Sequence, residues 1–321
     1  MDRLEAMWML SAVAERGGFS AAGRALNVPL ATLSRKISDL EALLGTRLLV
    51  RTTRKVTLTD AGVVYVAAAR RILEQVEDAE REAAGEFTAP RGELVVTAPT
   101  MFGRIHVLPV VADFLAKFPE IRVRLLLSDK NLDLAEEHVD MAVRIGRLPD
   151  SSMVATQIGT MRTVTCASPS LIDSHGVPQR PEDLLRIPCV GLDAPVPSPG
   201  WRYRSPETGA TIDIEVEPRL SVTSKDAAVQ AAVTTVGIVR LLHYQVAHAV
   251  SRGRLRIILD AFEPEPSPVN LLHLSRGLMP LKMRQFHDFA VPRLREAVSA
   301  VADGVAENQG DMYDDVVEPR L

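Results

Sequence analysis

Little in this 321-residue chain points to catalysis. It has only two cysteines, Cys166 and Cys189, 23 positions apart and outside any paired motif. That spacing argues against a disulfide framework or a zinc knuckle and for two reduced, partly buried thiols. No apolar run reaches the roughly 18 residues of a bilayer-spanning helix. The opening Met1-Asp2-Arg3-Leu4-Glu5 has no signal-peptide pattern, so a cytoplasmic protein without membrane contact is expected. Gly-x-Gly-x-x-Gly, a phosphate loop, a nucleophile elbow and His-Glu-x-x-His are all missing. The seven histidines are scattered, and His243 with His248 lacks the i, i+4 spacing of two metal ligands on one helical face. No catalytic residue, metal site or cofactor is therefore assigned.

What is present is uneven charge. The chain carries −4 in total, yet residues 1–58 hold nine Lys/Arg against five Asp/Glu, a net of +4 that leaves −8 for the rest. A basic head on an acidic body suits a protein in which one domain touches phosphates and another avoids them.

Within the head, Phe19 to Leu44 reads as two short helices meeting at a tight turn. Ser20 is placed as the cap of the first, which runs to Leu26; Asn27-Val28 breaks the pattern, and Pro29 opens the second at no hydrogen-bonding cost. Leu33, Ile37, Leu40 and Leu44 stack along one side of the second helix and predict its core face. The reverse side holds Ala31, Arg35, Ser38 and Ala42, flanked by Leu30, Thr32, Ser34 and Lys36. Small and hydrogen-bonding side chains with two cations suit entry into a major groove about 12 Å wide. Taken alone, the same pattern is also that of a solvated amphipathic helix.

Upstream, Asp2 and Glu5 form a candidate capping box for a helix carrying Leu4, Met7, Trp8, Leu10, Val13 and Ala14. Downstream, Gly45 stops the second helix, and residues 47–50 and 55–58 read as short strands around the cationic loop Arg51-Thr52-Thr53-Arg54, with Lys55 beside it. Three helices followed by a basic hairpin make a winged helix, in which the third helix reads base edges and wing arginines neutralise phosphates or enter the minor groove.

These residues carry a specific resemblance: Ala12 to Ala22, Leu33-Ser34-Arg35-Lys36-Ile37, Leu40-Glu41, Leu44-Gly45, Leu48-Leu49, Arg51-Thr52 and Leu58-Thr59-Asp60-Ala61-Gly62. The run, about sixty residues, resembles the DNA-binding domain of the LysR-type transcriptional regulators. Where many members begin the reading helix with Ser-Gln, this chain has Pro29-Leu30. Leucine cannot make a bidentate amide contact to adenine but can meet a thymine methyl.

The segment from Asp60 to Glu86 reads as one long helix capped by Thr59, with a small-residue stripe through Val64, Ala67, Ala68, Ile72, Val76, Ala79 and Ala83 suited to close helix pairing. The resemblance implies a linker helix through which two subunits dimerise. Beyond 88–92, a break read as a hinge, apolar runs alternate with helices, the sign of an α/β domain with buried parallel strands. Strands are expected at 94–98, 123–127, 141–145, 161–167 and 269–274, and helices at 100–118, 132–138, 181–185, 226–236 and 282–301.

Cys166 to Leu171 and Pro181-Glu182-Asp183-Leu184 are similar to the start of the family's second lobe. The expected architecture is thus multidomain: an N-terminal all-α winged helix-turn-helix (1–59), the linker helix (60–87), the hinge, and a two-lobed α/β, periplasmic-binding-protein-like effector domain (93–302). Lobe I takes about 93–160 and 269–302, and lobe II about 161–268. Residues 303–321 are expected to be a disordered acidic tail.

Hydroxyls stand at three strand ends: Thr100, Ser128 and Thr223-Ser224. The resemblance places these where the effector domain meets a small molecule, with Met101, Phe102, Arg144, Trp201 and Tyr203 adding walls or charge. Each hydroxyl is also an ordinary helix cap. The donors and dipoles of strand-end crevices favour a small organic anion. The function expected is a sequence-specific transcription regulator that binds double-stranded DNA as a homo-oligomer, dimer or tetramer, under control of a small-molecule effector. Two other readings are an architectural DNA-binding protein with a vestigial ligand domain, and a binding or catalytic protein whose head only dimerises.

Overall fold

The computed structural model describes residues 2–51, 56–83, 90–130, 133–134, 137–148, 153–193, 200–274 and 279–302. The chain forms two compact units, Met1–Gly92 and Glu93–Leu321.

The first unit contains α1 (Arg3–Arg16), α2 (Phe19–Leu26), α3 (Leu30–Leu44), β1 (Leu49–Arg51), β2 (Val56–Leu58) and α4 (Asp60–Ala83). Asp2 caps α1 by accepting the Leu4 and Glu5 N–H groups, and Gly45 ends α3 at φ +66°, a left-handed position glycine adopts freely. Ser20 is not a cap: α2 starts one residue earlier behind Gly18, so Ser20 sits exposed inside its first turn. The core gathers Ala6, Met9, Leu10 and Val13 of α1 with Leu33, Ile37 and Leu40 of α3 and Val66 of α4. Leu4 and Trp8, expected on the buried stripe, face outward, as does Leu44. The hairpin pairs Leu49 with Leu58 and Arg51 with Val56, antiparallel. Glu41 of α3 accepts the N–H groups of Leu48 and Leu49, which ties the hairpin to the third helix. Thr59 caps α4 through the Gly62 N–H at 2.9 Å.

The second unit runs β3 (Gly92–Ala98), then a helical stretch made of α5 (Thr100–Phe102), a π turn (Gly103–Val107) and α6 (Leu108–Lys117). It continues through β4 (Ile121–Leu127), β5 (Met141–Ile145), β6 (Val154–Met161), β7 (Thr163–Ala167), α7 (Pro169–His175), a 3-10 turn (Pro181–Arg186), β8 (Val190–Leu192), β9 (Trp201–Arg204), β10 (Thr211–Ile214) and β11 (Leu220–Val222). Then come α8 (Lys225–Val233), β12 (Val239–Leu242), α9 (His243–Ser251), β13 (Arg256–Ile258), a 3-10 turn (Asp260–Phe262), β14 (Ser267–His273) and α10 (Leu281–Ala302).

A five-stranded sheet in the order β4-β3-β5-β14-β6 and a three-stranded sheet in the order β12-β7-β13 anchor its two halves. The chain passes between the sheets at Arg162 and again between Phe262 and Ser267, and Arg162 and Glu263 clasp the two crossings at 2.7 and 2.8 Å.

Three expectations need correction. The strands are not uniformly parallel: β3 and β5 run parallel, but β14 is antiparallel to β5 and β6, and β7 to both its neighbours. Late return of β14 from the other half brings it into the sheet from the opposite end. No helix forms in the described part of 132–138; Glu137 and Val139 close a single turn on Asp133 and Leu134. Finally, α8 stops at Val233 because Thr235 turns left-handed, φ +66°, its hydroxyl accepting from Ser168 Oγ at 3.0 Å. The expected tail 303–321 and residues 84–89, which take in the end of the expected linker helix and the start of the hinge, lie outside the described residues.

At Gly62 a Cβ would meet the Leu48 carbonyl oxygen at 2.0 Å, so α4 and the hairpin approach as closely as they do only because that side chain is hydrogen. Gly62→Ala is expected to cost about 3 kcal/mol by pushing backbone from backbone. Urea unfolding of the full chain should show this as an earlier loss of the first unit. Gly18→Ala, where a Cβ meets nothing within 4 Å, serves as the control.

Candidate DNA-reading face and effector cleft

The third helix presents two chemically distinct sides. Leu33, Ile37 and Leu40 are 0% exposed, whereas Ala31, Arg35 and Ser38 lie on the open side and Leu30 is 51% exposed. Thr32 and Ser34 are half-buried at the flank. Lys36 differs from the expectation: its Nζ is ion-paired with Glu5 of α1, so its charge braces the three-helix core. Of the wing, Arg51 belongs to β1, and its side chain lies outside the described residues, as do Thr52, Arg54 and Lys55 entirely.

In the second unit, a cavity of about 180 Å³ opens between the two halves. Ser128, Asp129, Lys130 and Arg144 line it from the five-stranded-sheet side, and Lys225 and Tyr244 from the other. The strand-end hydroxyls bring the chain here. Ser128 follows β4, its N–H held by the Ala98 carbonyl, and Ser224 caps α8 through the Ala227 N–H, which sets Lys225 and Asp226 on the first turn. Those two adjacent charges cross the cleft in opposite senses, Lys225 to Asp129 at 2.7 Å and Asp226 to Arg104 at 2.9 Å. Burial pulls the Arg144 pKa down from its ordinary value.

Ser128 and Arg144 therefore line the cleft, and the exposed Thr100 meets its rim through a backbone N–H donated to Asp129 at 3.1 Å. Thr223 and Ser224 are exposed beside Lys225. The aromatic walls expected at Phe102, Trp201 and Tyr203 are not there. Phe102 is 0% exposed, turned into the core two residues after Thr100 by helical rotation. Strand alternation puts Trp201 and Tyr203 on one face of β9, and that face packs on the second half's own core; the Tyr203 hydroxyl meets Thr165 Oγ1 at 2.9 Å. Met101 is buried and lines a separate, mostly apolar cavity of about 30 Å³ with Val229 and Val233. Asp129, Lys130 and Lys225 were missed, although two of them directly follow hydroxyls already singled out.

Both thiols are buried more completely than expected, and burial pushes Cys166 up to about 12 and Cys189 to about 11, far from the thiolate range of a reactive cysteine. Among the described residues no group of three or more His, Cys, Asp and Glu is placed to hold a metal, and no helix is long and apolar enough to cross a membrane.

Residues 4–63 match the family described as bacterial regulatory helix-turn-helix protein, lysR family, and residues 88–295 match the LysR substrate binding domain. The chain is a LysR-type transcriptional regulator. An HTH-type transcriptional regulator of Xanthomonas campestris pv. campestris is 34% identical over 285 residues, 88% of this chain and 83% of that protein. Among solved structures, CrgA, a LysR-type transcriptional regulator from Neisseria meningitidis, is 30% identical with a TM-score of 0.58, covering 90% of this chain and 98% of that one. The full-length Vibrio cholerae virulence activator AphB is 26% identical with a TM-score of 0.57, covering 90% and 98%. The LysR-type regulator described here thus joins a DNA-binding helix-turn-helix to an effector-binding domain, and it acts on DNA as an oligomer.

Behind the cleft wall of this regulator, His106 is 3% exposed, packed against Phe102 at 4.8 Å and Tyr244 at 5.8 Å between ring centroids. Neither ring nitrogen has a hydrogen-bond partner among the described residues, and burial lowers its pKa from 6.5 to about 4. Because the folded pKa lies below the unfolded one, the unfolded chain takes up a proton first as pH falls. Stability is expected to drop between pH 6.5 and about 4, with His106 contributing roughly 3 kcal/mol. His243 and His273 are shifted the same way. His106→Leu should visibly reduce the slope of urea midpoint against pH over that window, and an unchanged slope would refute the assignment.

Proposed function

We propose that the regulator reads duplex DNA with the Arg35 face of α3 and the wing cations, and that a small organic anion in the cleft between the lobes tunes this. The observation that carries the reading is the division of α3: three leucine-type side chains are sealed inside while Arg35, Ser38, Ala31 and Leu30 stand clear. Small residues beside a cation let a helix approach base edges, and Leu30 at its start offers an apolar contact to a thymine methyl. Arg51, Thr52, Arg54 and Lys55 supply phosphate contacts from the wing, and Ser20, Thr32, Ser34 and Ser38 complete the head's contact surface.

The head takes residues 1–59 and the linker helix follows over 60–87. Val64, Ile72 and Ala79 of α4 are exposed at helical spacing, a stripe suited to the same helix of a second copy. Paired heads then read two half-sites. Lobe I comprises about 93–160 and 269–302, lobe II about 161–268. A ligand that binds open and closed lobes unequally shifts their populations, and with them the spacing of the heads. The protein works in the cytoplasm and catalyses no reaction.

The test is a mobility-shift titration of the full-length protein on DNA upstream of its own gene. Arg35→Ala is expected to weaken specific binding by about 1–3 kcal/mol, roughly ten- to hundredfold, at constant salt. Lys36→Ala, which loosens a brace inside the head, should cost less than that. Equal binding by parent and Arg35→Ala removes α3 from the reading role.

A further inference from the structure

The cleft carries a charge pattern more specific than a general preference for anions. Asp129 Oδ1 accepts the Thr100 N–H at 3.1 Å, and Oδ2 lies 2.7 Å from Lys225 Nζ in the opposite lobe. A backbone N–H and a lysine are the donors an incoming carboxylate would seek, and here a side chain of the protein already holds them.

On the same wall Arg144 gives Nη1 to the Val143 carbonyl at 3.1 Å, while its buried Nη2 has no hydrogen-bond partner among the described residues. A charged donor left unmatched away from water is unfavourable, and a second carboxylate would satisfy it. The lining as a whole sets Lys130, Arg144 and Lys225 against Asp129, three positive charges against one negative.

Resting on the reading that this cleft is the effector site, we propose that its ligand is a small dicarboxylate. One carboxylate seats on Arg144 Nη2, and the other displaces Asp129 from Thr100 N–H and Lys225. Asp129 is then the empty cleft's internal stand-in for the ligand, and binding exchanges a pair within the protein for a pair with the effector. A monocarboxylate fills only the Arg144 position. A single compact dianion such as phosphate offers one anionic centre where two separate carboxylates are called for. A cationic ligand gains Asp129 but meets three cations.

Isothermal titration of the full-length protein at fixed ionic strength tests this, with succinate and glutarate as dicarboxylates, acetate as monoanion, inorganic phosphate as compact dianion and putrescine as dication. At least one dicarboxylate is expected to bind about tenfold or more tightly than acetate or phosphate. Asp129→Ala, which removes the internal competitor, should strengthen dicarboxylate binding by about tenfold. Arg144→Gln and Lys225→Gln should each weaken it by a similar factor. Lys225 is half-buried at a helix start, so Lys225→Gln remains informative if the Arg144 variant folds poorly.

Equal affinity for acetate and the dicarboxylates overturns the proposal, as does weaker dicarboxylate binding by Asp129→Ala, which would make Asp129 a ligand contact. Silence from both dicarboxylates in parent and Asp129→Ala overturns it too. A response to putrescine or phosphate in that case leaves the effector reading standing. Dicarboxylate binding of the expected pattern that leaves DNA affinity unchanged would uphold the ligand class and fail the regulatory reading.

Discussion

The second unit is held in register across its cleft by two neighbouring charges of opposite sign. Lys225 and Asp226 open α8, and each finds its complement in the other half, at Asp129 and Arg104. A helix start that carried two like charges would attract one of these partners and repel the other. The adjacent plus and minus match the two partners in both sign and order. Much else in the cleft follows from this, since Asp129 is oriented by Lys225 on one oxygen and by the Thr100 N–H on the other.

A different constraint governs the head. Its hydrophobic core is small, and α3 contributes three fully buried side chains to it, so rotating the helix to bury Arg35 would expose all three. At about 1.5–3 kcal/mol per buried aliphatic side chain, that rotation is closed to a domain of this size. The side of α3 proposed to read DNA is thus defined by what the core demands of the opposite side. Glu41 extends the same frame to the wing by accepting two backbone N–H groups at the entrance to β1.

Periodicity made the head readable in the amino-acid sequence, because one stripe of α3 is apolar and its reverse is not. It failed where position depended on something other than the local pattern. Leu4 and Trp8 looked like core on α1, yet the side of that helix facing α3 and α4 is the one with Ala6, Met9, Leu10 and Val13. Ser20 had the chemistry of a cap, but the helix began before it. In the cleft, Ser128 was reachable because the end of β4 is visible as the close of an apolar run. Trp201 and Tyr203 were misplaced because nothing local says that the β9-β10 hairpin folds onto its own half. Asp129 and Lys225 escaped notice because a charged residue at a helix or loop start reads as solvated until its partner, 96 positions away, is known.

The strength of the cross-cleft pairs decides how the domain would respond to a ligand. Both pairs keep between a quarter and two-fifths of their side-chain surface in solvent. Pairs so exposed are each worth on the order of 1 kcal/mol or less, because water screens them and ordering long side chains is costly. These charges consequently favour the arrangement of the two halves only slightly. A ligand that adds charge-assisted hydrogen bonds to both lobes contributes more than the pairs it displaces. The equilibrium then follows the ligand's preference for one arrangement over the other, and a ligand with equal affinity for both would move nothing. Weak latches are therefore what makes the cleft responsive: a fully buried network in their place would hold the lobes shut whether or not an effector was present.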